Sequence, residues 1–412
     1  MVGRYFDSAS QRIGHGAVTT HLEMEMGTKP RVGLKGKNSE DPAPLAFFIP
    51  GLNGGGAQRV FVTLVNTLVT MTDHPVHLVT SRQGGSFERL VDERVVRIVL
   101  GPQRVSRSIL PLARYIRTQR PVAMVSTLDY CNVVFLIATM FAGVRLRKVV
   151  RDANVIRDRF NSPSERIKAG GLRFLMRLLY PLANDVIIIT KDVERSLLRH
   201  RIASVGQMRR IPNPVVVNES PRGEPGEVDP PSDRFVLAIG RLCYQKGFDI
   251  LIRAFAELPD RVIKLIILGK GPLEEELKAL ASEIGVADRV FFYGFVPNTA
   301  DFLRSASLFV LSSRWEGFSN VLTEALAAGT PVVATDCPGS PREVLDNGRL
   351  GRLVEVGNPP ALANAIAAEL ARPSTTAEER TRTAFQYESG KIAAQYLQVL
   401  TGFGDLHKPP QP

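Results

Sequence analysis

Residues 308–335 read LFVLSSRWEGFSNVLTEALAAGTPVVAT. The apolar run 308–311 has the length and composition of a buried strand. Residues 321–328 keep helical spacing and stop at Gly329, and 331–334 form a second short apolar run. A strand, a helix and a strand in so short a span make a parallel crossover, with the helix laid on the face of a sheet. Glu316 then falls in the loop leaving the carboxyl end of a strand, and Glu324 falls eight positions later on the helix. Between the two acids lie the unpaired N–H groups of a helix start, which favour anions.

The same alternation extends outward. Candidate strands at 235–239, 263–268 and 290–293 precede this unit, and a separate series at 45–49, 76–80, 95–100, 123–126, 149–150 and 186–189 fills the first half. Between the two series, 219–233 is rich in Pro, Glu and Gly and lacks apolar periodicity, as a linker does. The predicted fold class is α/β: two Rossmann-like, doubly wound parallel-sheet domains facing a cleft. The first domain spans 45–220 and the second 234–380, with the linker at 221–233, a disordered tail at 1–44 and a short tail at 403–412. Ligands of such sheets bind at the carboxyl ends of the strands.

Three further motifs fall at strand ends. Gly240-Arg-Leu-Cys-Tyr-Gln-Lys-Gly-Phe-Asp249 follows the run 235–239, so Arg241 and Lys246 can converge on a diphosphate, one as a planar fork and the other as a point charge. Leu268-Gly-Lys-Gly-Pro-Leu273 is a glycine turn at the next strand end. In the first half, Pro50-Gly-Leu-Asn-Gly-Gly-Gly-Ala-Gln-Arg59 joins 45–49 to a helix, and Gly54, Gly55 and Gly56 let backbone approach a ligand there. This is not a dinucleotide fingerprint: the glycine spacing differs, and the next strand ends Val79-Thr-Ser-Arg82 with no acid for a ribose.

The pair Glu316 and Glu324, with Arg241 and Lys246 before it, resembles the E-x7-E signature of the family 4 retaining glycosyltransferases, which have the GT-B fold. The likeness spans 45 to about 400 and is strongest over 235–345. It implies that Glu316 contacts the transferred sugar, and that Gly317, Phe318, Ser319 and Asn320 face sugar and diphosphate. Glu324 would hold the ribose hydroxyls, while Arg241 and Lys246 neutralise the leaving diphosphate. Gly240 and the loop at Gly54 and Gly55 would approach the donor, and Phe295 and Val296, in Tyr293-Gly-Phe-Val-Pro297, would neighbour the base. Arg59 and Asp129 are candidates for the acceptor side. Several relatives carry a His near the reacting sugar; the matching stretch Val125-Ser-Thr-Leu-Asp-Tyr-Cys-Asn132 has none, so Asp129 either takes a related role or simply ends a strand. The family also implies that a helix at 381–402 returns to the first domain; the pattern of 382–400 fits a packing helix of the second domain equally well. Asp336-Cys-Pro-Gly-Ser-Pro-Arg-Glu-Val344 looks like bacterial enzymes that build surface or lipid-linked glycans, which often use UDP-hexoses or UDP-N-acetylhexosamines. The implied function is retaining transfer of a hexose or N-acetylhexosamine from a nucleotide sugar, UDP-linked by that likeness, to a glycan or lipid-linked acceptor. A nucleotide-sugar epimerase or hydrolase, and a sugar-nucleotide-binding protein without turnover, are the rivals.

No two aspartates stand two apart, so no Asp-x-Asp bridges a divalent ion and a diphosphate; no metal and no other cofactor is expected. The three cysteines, Cys131, Cys243 and Cys337, lack metal-ligand spacing and read as free buried thiols of a reducing cytoplasm. The net charge of +11 is uneven: residues 1–220 hold 32 Lys+Arg against 17 Asp+Glu, and the remainder is mildly acidic. Within the basic half, 157–181 interleaves Arg157, Arg159, Arg166, Lys168, Arg173 and Arg177 with Leu172, Phe174, Leu175, Met176, Leu178 and Leu179. Such a stretch is either an ordinary amphipathic helix or one that lies on an anionic bilayer. No run approaches the roughly 20 apolar residues of a membrane span, and no nucleic-acid module is present. The expected location is cytoplasmic: free if 157–181 is an ordinary amphipathic helix, or peripheral on the inner face of the cytoplasmic membrane if that stretch lies on a bilayer.

Overall fold

Long apolar runs with no polar alternation belong to strands covered on both faces, and β1 (Leu45–Ile49), β2 (Val76–Thr80) and β4 (Ala123–Thr127) are buried at every position. The computed structural model describes residues 42–53, 55–102, 104–156, 163–215, 229–296 and 298–402. The expected tails fall almost wholly outside these residues, as does most of the expected linker.

The first domain runs β1, α1 (Gly56–Leu68), β2, β3 (Val96–Val99), α2 (Ile109–Gln119), β4, α3 (Asp129–Ala142), β5 (Arg147–Asp152), α4 (Pro163–Leu179), β6 (Asp185–Ile188), α5 (Lys191–Arg199) and β7 (Met208–Arg210). Its strands form a parallel sheet in the order β3-β2-β1-β4-β5-β6-β7. The second domain runs β8 (Phe235–Ile239), α6 (Phe248–Ala256), β9 (Lys264–Leu268), α7 (Glu274–Glu283), β10 (Val290–Gly294), α8 (Ala300–Ser305), β11 (Leu308–Leu311), α9 (Asn320–Ala327), β12 (Val332–Thr335), α10 (Pro341–Val344), β13 (Arg352–Val354), α11 (Pro359–Ala371) and α12 (Ala377–Ala384). Its parallel sheet has the order β10-β9-β8-β11-β12-β13. The order reverses between β1 and β4 in one sheet and between β8 and β11 in the other. At those points successive crossovers leave on opposite faces and open a crevice at the carboxyl ends.

Two edge strands, β7 and β13, are absent from the sequence reading. Each has three residues and carries arginine, so no apolar run announces it.

The helical signal at 382–400 is broken in the structure. α12 packs on α9, and α13 (Ser389–Thr401) packs on α1. Glu388 sits between them in an extended conformation, and its carboxylate accepts from Gly390 N at 2.8 Å and Lys391 N at 3.0 Å, which starts a new helix. α13 places Ile392, Tyr396, Val399 and Leu400 in the core beneath β1 and α1. The outgoing chain runs beside this crossing, where Val215 N donates to Tyr387 O at 2.7 Å.

Candidate active site

The carboxyl ends of both sheets face one cleft of about 920 Å³. The second domain contributes four loops, those after β8, β9 and β11 and the one after β10 that carries Phe295 and Val296. The first follows β8, and Gly240, Arg241 and Lys246 of it line the cleft. The second is the glycine turn after β9, where Gly269, at φ +140°, lies so near Gly240 that a Cβ on it would stand 1.9 Å from the Gly240 carbonyl oxygen. That contact seats Lys270, which the sequence reading did not single out, at the cleft. The third loop joins β11 to α9. Phe295 and Val296 close the far wall, the ring of Phe295 exposed and Val296 buried.

In the third loop Glu316 is buried, and both of its side-chain bonds fall on one oxygen. Oε1 accepts from Lys246 Nζ at 2.6 Å and from Ser313 Oγ at 2.6 Å, leaving Oε2 without a protein partner among the described residues. Its backbone N donates to Pro338 O at 2.8 Å. The loop is braced from behind by Arg314, which forks onto Asp249 at 2.9 and 2.6 Å and lies 4.0 Å over the Tyr244 ring. Burial pushes the Asp249 carboxyl up, but its hydrogen bonds and attraction to Arg314 outweigh that and hold it below the usual range.

α9 begins at Asn320 with no side-chain cap and no acid in its first turn, so its first N–H groups remain available. Ser319 N is held by Ser340 Oγ at 2.8 Å, and Glu324 looks into the cleft one turn along the helix. Opposite, α1 also begins uncapped, at Gly55 with φ 140°, a value few side-chain-bearing residues adopt. Arg59 of α1 stands 3.8 Å from Glu324 across the cleft. The expected acceptor-side cation thus reaches the acid assigned to the ribose.

The domains meet closely around this loop. A Cβ on Gly317 would stand 2.1 Å from the Ala153 carbonyl oxygen. Asn213 Nδ2 donates to Asn320 Oδ1 at 2.7 Å, and Asp192 accepts from Gly339 N at 2.8 Å. Phe318 packs against the cores of both domains.

Of the residues expected from sequence, Gly55, Gly240, Arg241, Lys246, Phe295, Val296, Glu316, Gly317, Phe318, Ser319, Asn320, Glu324 and Arg59 line this one cleft. Gly54 lies outside the described residues. Asp129 does not line the cleft. It opens α3 behind Leu128, and its carboxyl is buried beside Asp152; burial pushes both carboxyls up, and their mutual proximity raises that of Asp152 further. Leu128, held at φ 78°, lines the cleft in its stead. Arg151, Asn154 and Asn213 also line it and escaped the sequence reading. The thiols are free, as expected, with Cys131 and Cys337 buried, but Cys243 is only partly so. Burial pushes the Cys337 thiol up to about 12. Among the described residues no cluster of His, Cys, Asp or Glu suits a metal ion.

Residues 54–219 match the model described as Glycosyltransferase Family 4, and residues 224–386 match Glycosyl transferases group 1. The chain is 29% identical over 377 residues to the Campylobacter jejuni N-acetylgalactosamine-N,N'-diacetylbacillosaminyl-diphospho-undecaprenol 4-alpha-N-acetylgalactosaminyltransferase, covering 87% of this chain and 99% of that one. It is 32% identical over 285 residues to the Rhizobium meliloti lipopolysaccharide core biosynthesis mannosyltransferase LpsB, covering 63% of this chain and 77% of the relative. In fold it is similar to Anabaena HepE, solved with UDP and glucose, at a TM-score of 0.72 and 22% identity over 87% of this chain and 99% of that one. With two doubly wound domains closing on one cleft, and with these likenesses over nearly its whole length, the chain belongs to glycosyltransferase family 4 and has the GT-B fold.

Proposed function

We propose that the chain transfers a hexose or N-acetylhexosamine, with retention, from a UDP-sugar to a lipid-linked glycan. The observation that carries the reading is the convergence of Arg241, Lys246, Glu316 and Glu324 on one cleft opposite the uncapped start of α1. In this reading Glu324 accepts from the ribose hydroxyls, and Glu316 presents its open Oε2 to the sugar. Arg241 and the two helix starts meet the charge that develops on the leaving diphosphate. Lys246 is already bound to Glu316, so it links the group that holds the sugar to the group that releases it. With Asp129 buried away from the cleft, the leaving phosphate oxygen takes the acceptor's proton on the same face as the departing group. The charge on the diphosphate is met by these cations and N–H groups, so transfer proceeds without a divalent ion. UDP is favoured by the nucleotide bound in HepE, and the lipid-linked acceptor by the substrate named for the Campylobacter relative.

A specific observation supports approach to a membrane. On α4, Ile167, Phe174 and Leu178 are 75%, 65% and 62% exposed, whereas Met176 and Leu179 are buried. Large apolar groups therefore stand on the outer face of a helix that also carries Arg166 and Lys168, the arrangement that binds anionic bilayers. Arg157 and Arg159 lie outside the described residues. No described helix is long and apolar enough to cross a membrane. This reading makes the protein peripheral on the cytoplasmic leaflet.

The test is acceptor-dependent release of nucleoside diphosphate in the presence of a chelator, with UDP-, GDP- and ADP-sugars offered against undecaprenyl-diphosphate saccharides. Release from a UDP-sugar only when acceptor is added supports transfer. Release without acceptor would make the protein a hydrolase, and binding without any release would make it a carrier. Proton NMR of the product's anomeric linkage decides between retention and inversion.

A further inference from the structure

Arg151 is the penultimate residue of β5, at the floor of the cleft. It is wholly buried, and among the described residues it forms no ion pair. Its Nη1 donates to Thr127 Oγ1 at 2.8 Å and its Nη2 donates to Asn213 Oδ1. A guanidinium has only donors, so the oxygen of the Asn213 amide must face it. The nitrogen of that amide must then face away, and it donates to Asn320 Oδ1 at 2.7 Å. The second amide is thereby oriented as well: Asn320 turns its oxygen to Asn213 and its Nδ2 the other way. That nitrogen lies 3.8 Å from where a Cβ on Gly56 would stand, at the uncapped start of α1, and no described protein group accepts from it.

We infer that Arg151 and Asn213 are positioning residues that fix the amide of Asn320 so that its N–H faces the diphosphate of the donor. The inference rests on the donor reading above. The relay crosses from the first domain to the second, so the donor group is correctly aimed only when the domains have closed. Three sources of N–H, the starts of α1 and α9 and the Asn320 side chain, then point at the same anion. Reversal of the Asn320 amide would put a carbonyl oxygen against phosphate oxygens instead.

The experiment is a double-mutant cycle read by calorimetry with UDP, GDP and ADP. Asn213→Asp is isosteric; it gives Arg151 a counter-charge and offers Asn320 only acceptor oxygens, so the Asn320 amide must reverse. Expected is a loss of about tenfold or more in affinity for the diphosphate that binds wild type, with the melting temperature retained. Once Asn320→Ala is present, the same aspartate substitution should cost no further affinity. Asn213→Ala frees the Asn320 amide instead of reversing it, so it should bind diphosphate better than Asn213→Asp although it melts lower. An equal loss with and without Asn320→Ala would mean simple charge repulsion and overturn the relay, as would unchanged affinity in Asn213→Asp. Failure of wild type to bind any of the three diphosphates would instead sink the donor reading, and the relay with it.

Discussion

Gly317→Ala tests whether the closed arrangement of the two domains is the working one. The backbone at Gly317 does not need glycine for its dihedral angles; the constraint is the neighbour across the interface. An added Cβ would stand 2.1 Å from the Ala153 carbonyl oxygen, with Asn154 Oδ1 at 3.4 Å, so the carbonyl must retreat by about 0.9 Å merely to reach 3.0 Å. Neither side yields easily. Gly317 follows Glu316, whose backbone is bonded to Pro338 and whose carboxylate is bonded to Lys246 and Ser313. Ala153 directly follows Asp152, the last residue of β5. The methyl group therefore moves the domains as bodies, and the Asn213–Asn320 and Asp192–Gly339 bonds, at 2.7 and 2.8 Å, stretch with them. A misplacement of about 1 Å between reacting groups lowers the rate by roughly two orders of magnitude. The assay is acceptor-dependent nucleoside diphosphate release, with Kd for the diphosphate measured in parallel. Affinity should fall far less than kcat/KM, because Arg241, Lys246 and Glu324 all stay on the second domain. A Gly317→Ala variant turning over within roughly threefold of wild type would refute the reasoning.

Other expectations follow from single contacts. Glu324→Ala removes the acid assigned to the ribose; diphosphate affinity should drop by about tenfold or more, seen as a lost thermal shift, and an unchanged shift would move the ribose elsewhere. Lys246→Met leaves the Glu316 carboxylate buried with only Ser313 beside it and should cost roughly 1–3 kcal/mol in chemical denaturation; adding Glu316→Gln should recover most of that, and a further loss would refute the coupling. Asp152→Asn should change the pH dependence of stability. Burial and the Asp129 carboxyl hold the Asp152 carboxyl above its unfolded value, so the folded state keeps a proton that the unfolded chain releases above about pH 4. That contribution is undiminished below pH 4 and shrinks as pH rises. The asparagine variant cannot titrate there, so its stability relative to wild type should be greater at pH 8 than at pH 5; a difference that does not vary with pH would contradict it. Phe174→Ser with Leu178→Ser should weaken binding to phosphatidylserine vesicles by more than about tenfold, since each buried apolar side chain is worth about 1.5–3 kcal/mol. The melting temperature should hold, because both side chains are exposed; unchanged sedimentation with vesicles would remove α4 from the membrane face.

What was legible in the sequence is what short stretches encode on their own. β1 is apolar at every position and β2 and β4 carry mostly apolar residues because both faces of a parallel sheet are covered, and that signal needs no partner to be read. The loops ending at Arg241, Lys246 and Glu316 were legible for a related reason: each follows a strand directly, and parallel topology brings all strand carboxyl ends to one side. Where the pattern misled, longer-range geometry decided. Residues 382–400 keep helical spacing throughout, yet the chain must leave α9 and reach α1, and the carboxylate of Glu388 restarts the helix at the crossing. Asp129 has the right distance along the chain for a cleft residue, but the positive φ of Leu128 turns the backbone and hands the cleft wall to the leucine.

Arg151, Asn213 and Asn320 show the limit most sharply. They belong to β5, the end of the first domain and the start of α9, and their contacts span 62 and 107 positions. No local window contains two of them. Read singly, Arg151 is one more cation in a basic half-chain, and Asn213 is a turn residue between two prolines. Their meaning appears only when a donor-only guanidinium is found buried against hydroxyl and amide oxygens, with no ion pair among the described residues and with the adjacent Asp152 carboxyl pushed by burial toward its neutral form. A buried charge met only by neutral oxygens is costly, so its persistence at the floor of a cleft calls for something on the other side of the balance. The oriented amides supply part of that, by carrying the donor character of the arginine outward across the domain interface. A bound diphosphate would supply the remainder. The closed cleft is on this view less stable empty than filled, and substrate binding and domain closure become one equilibrium.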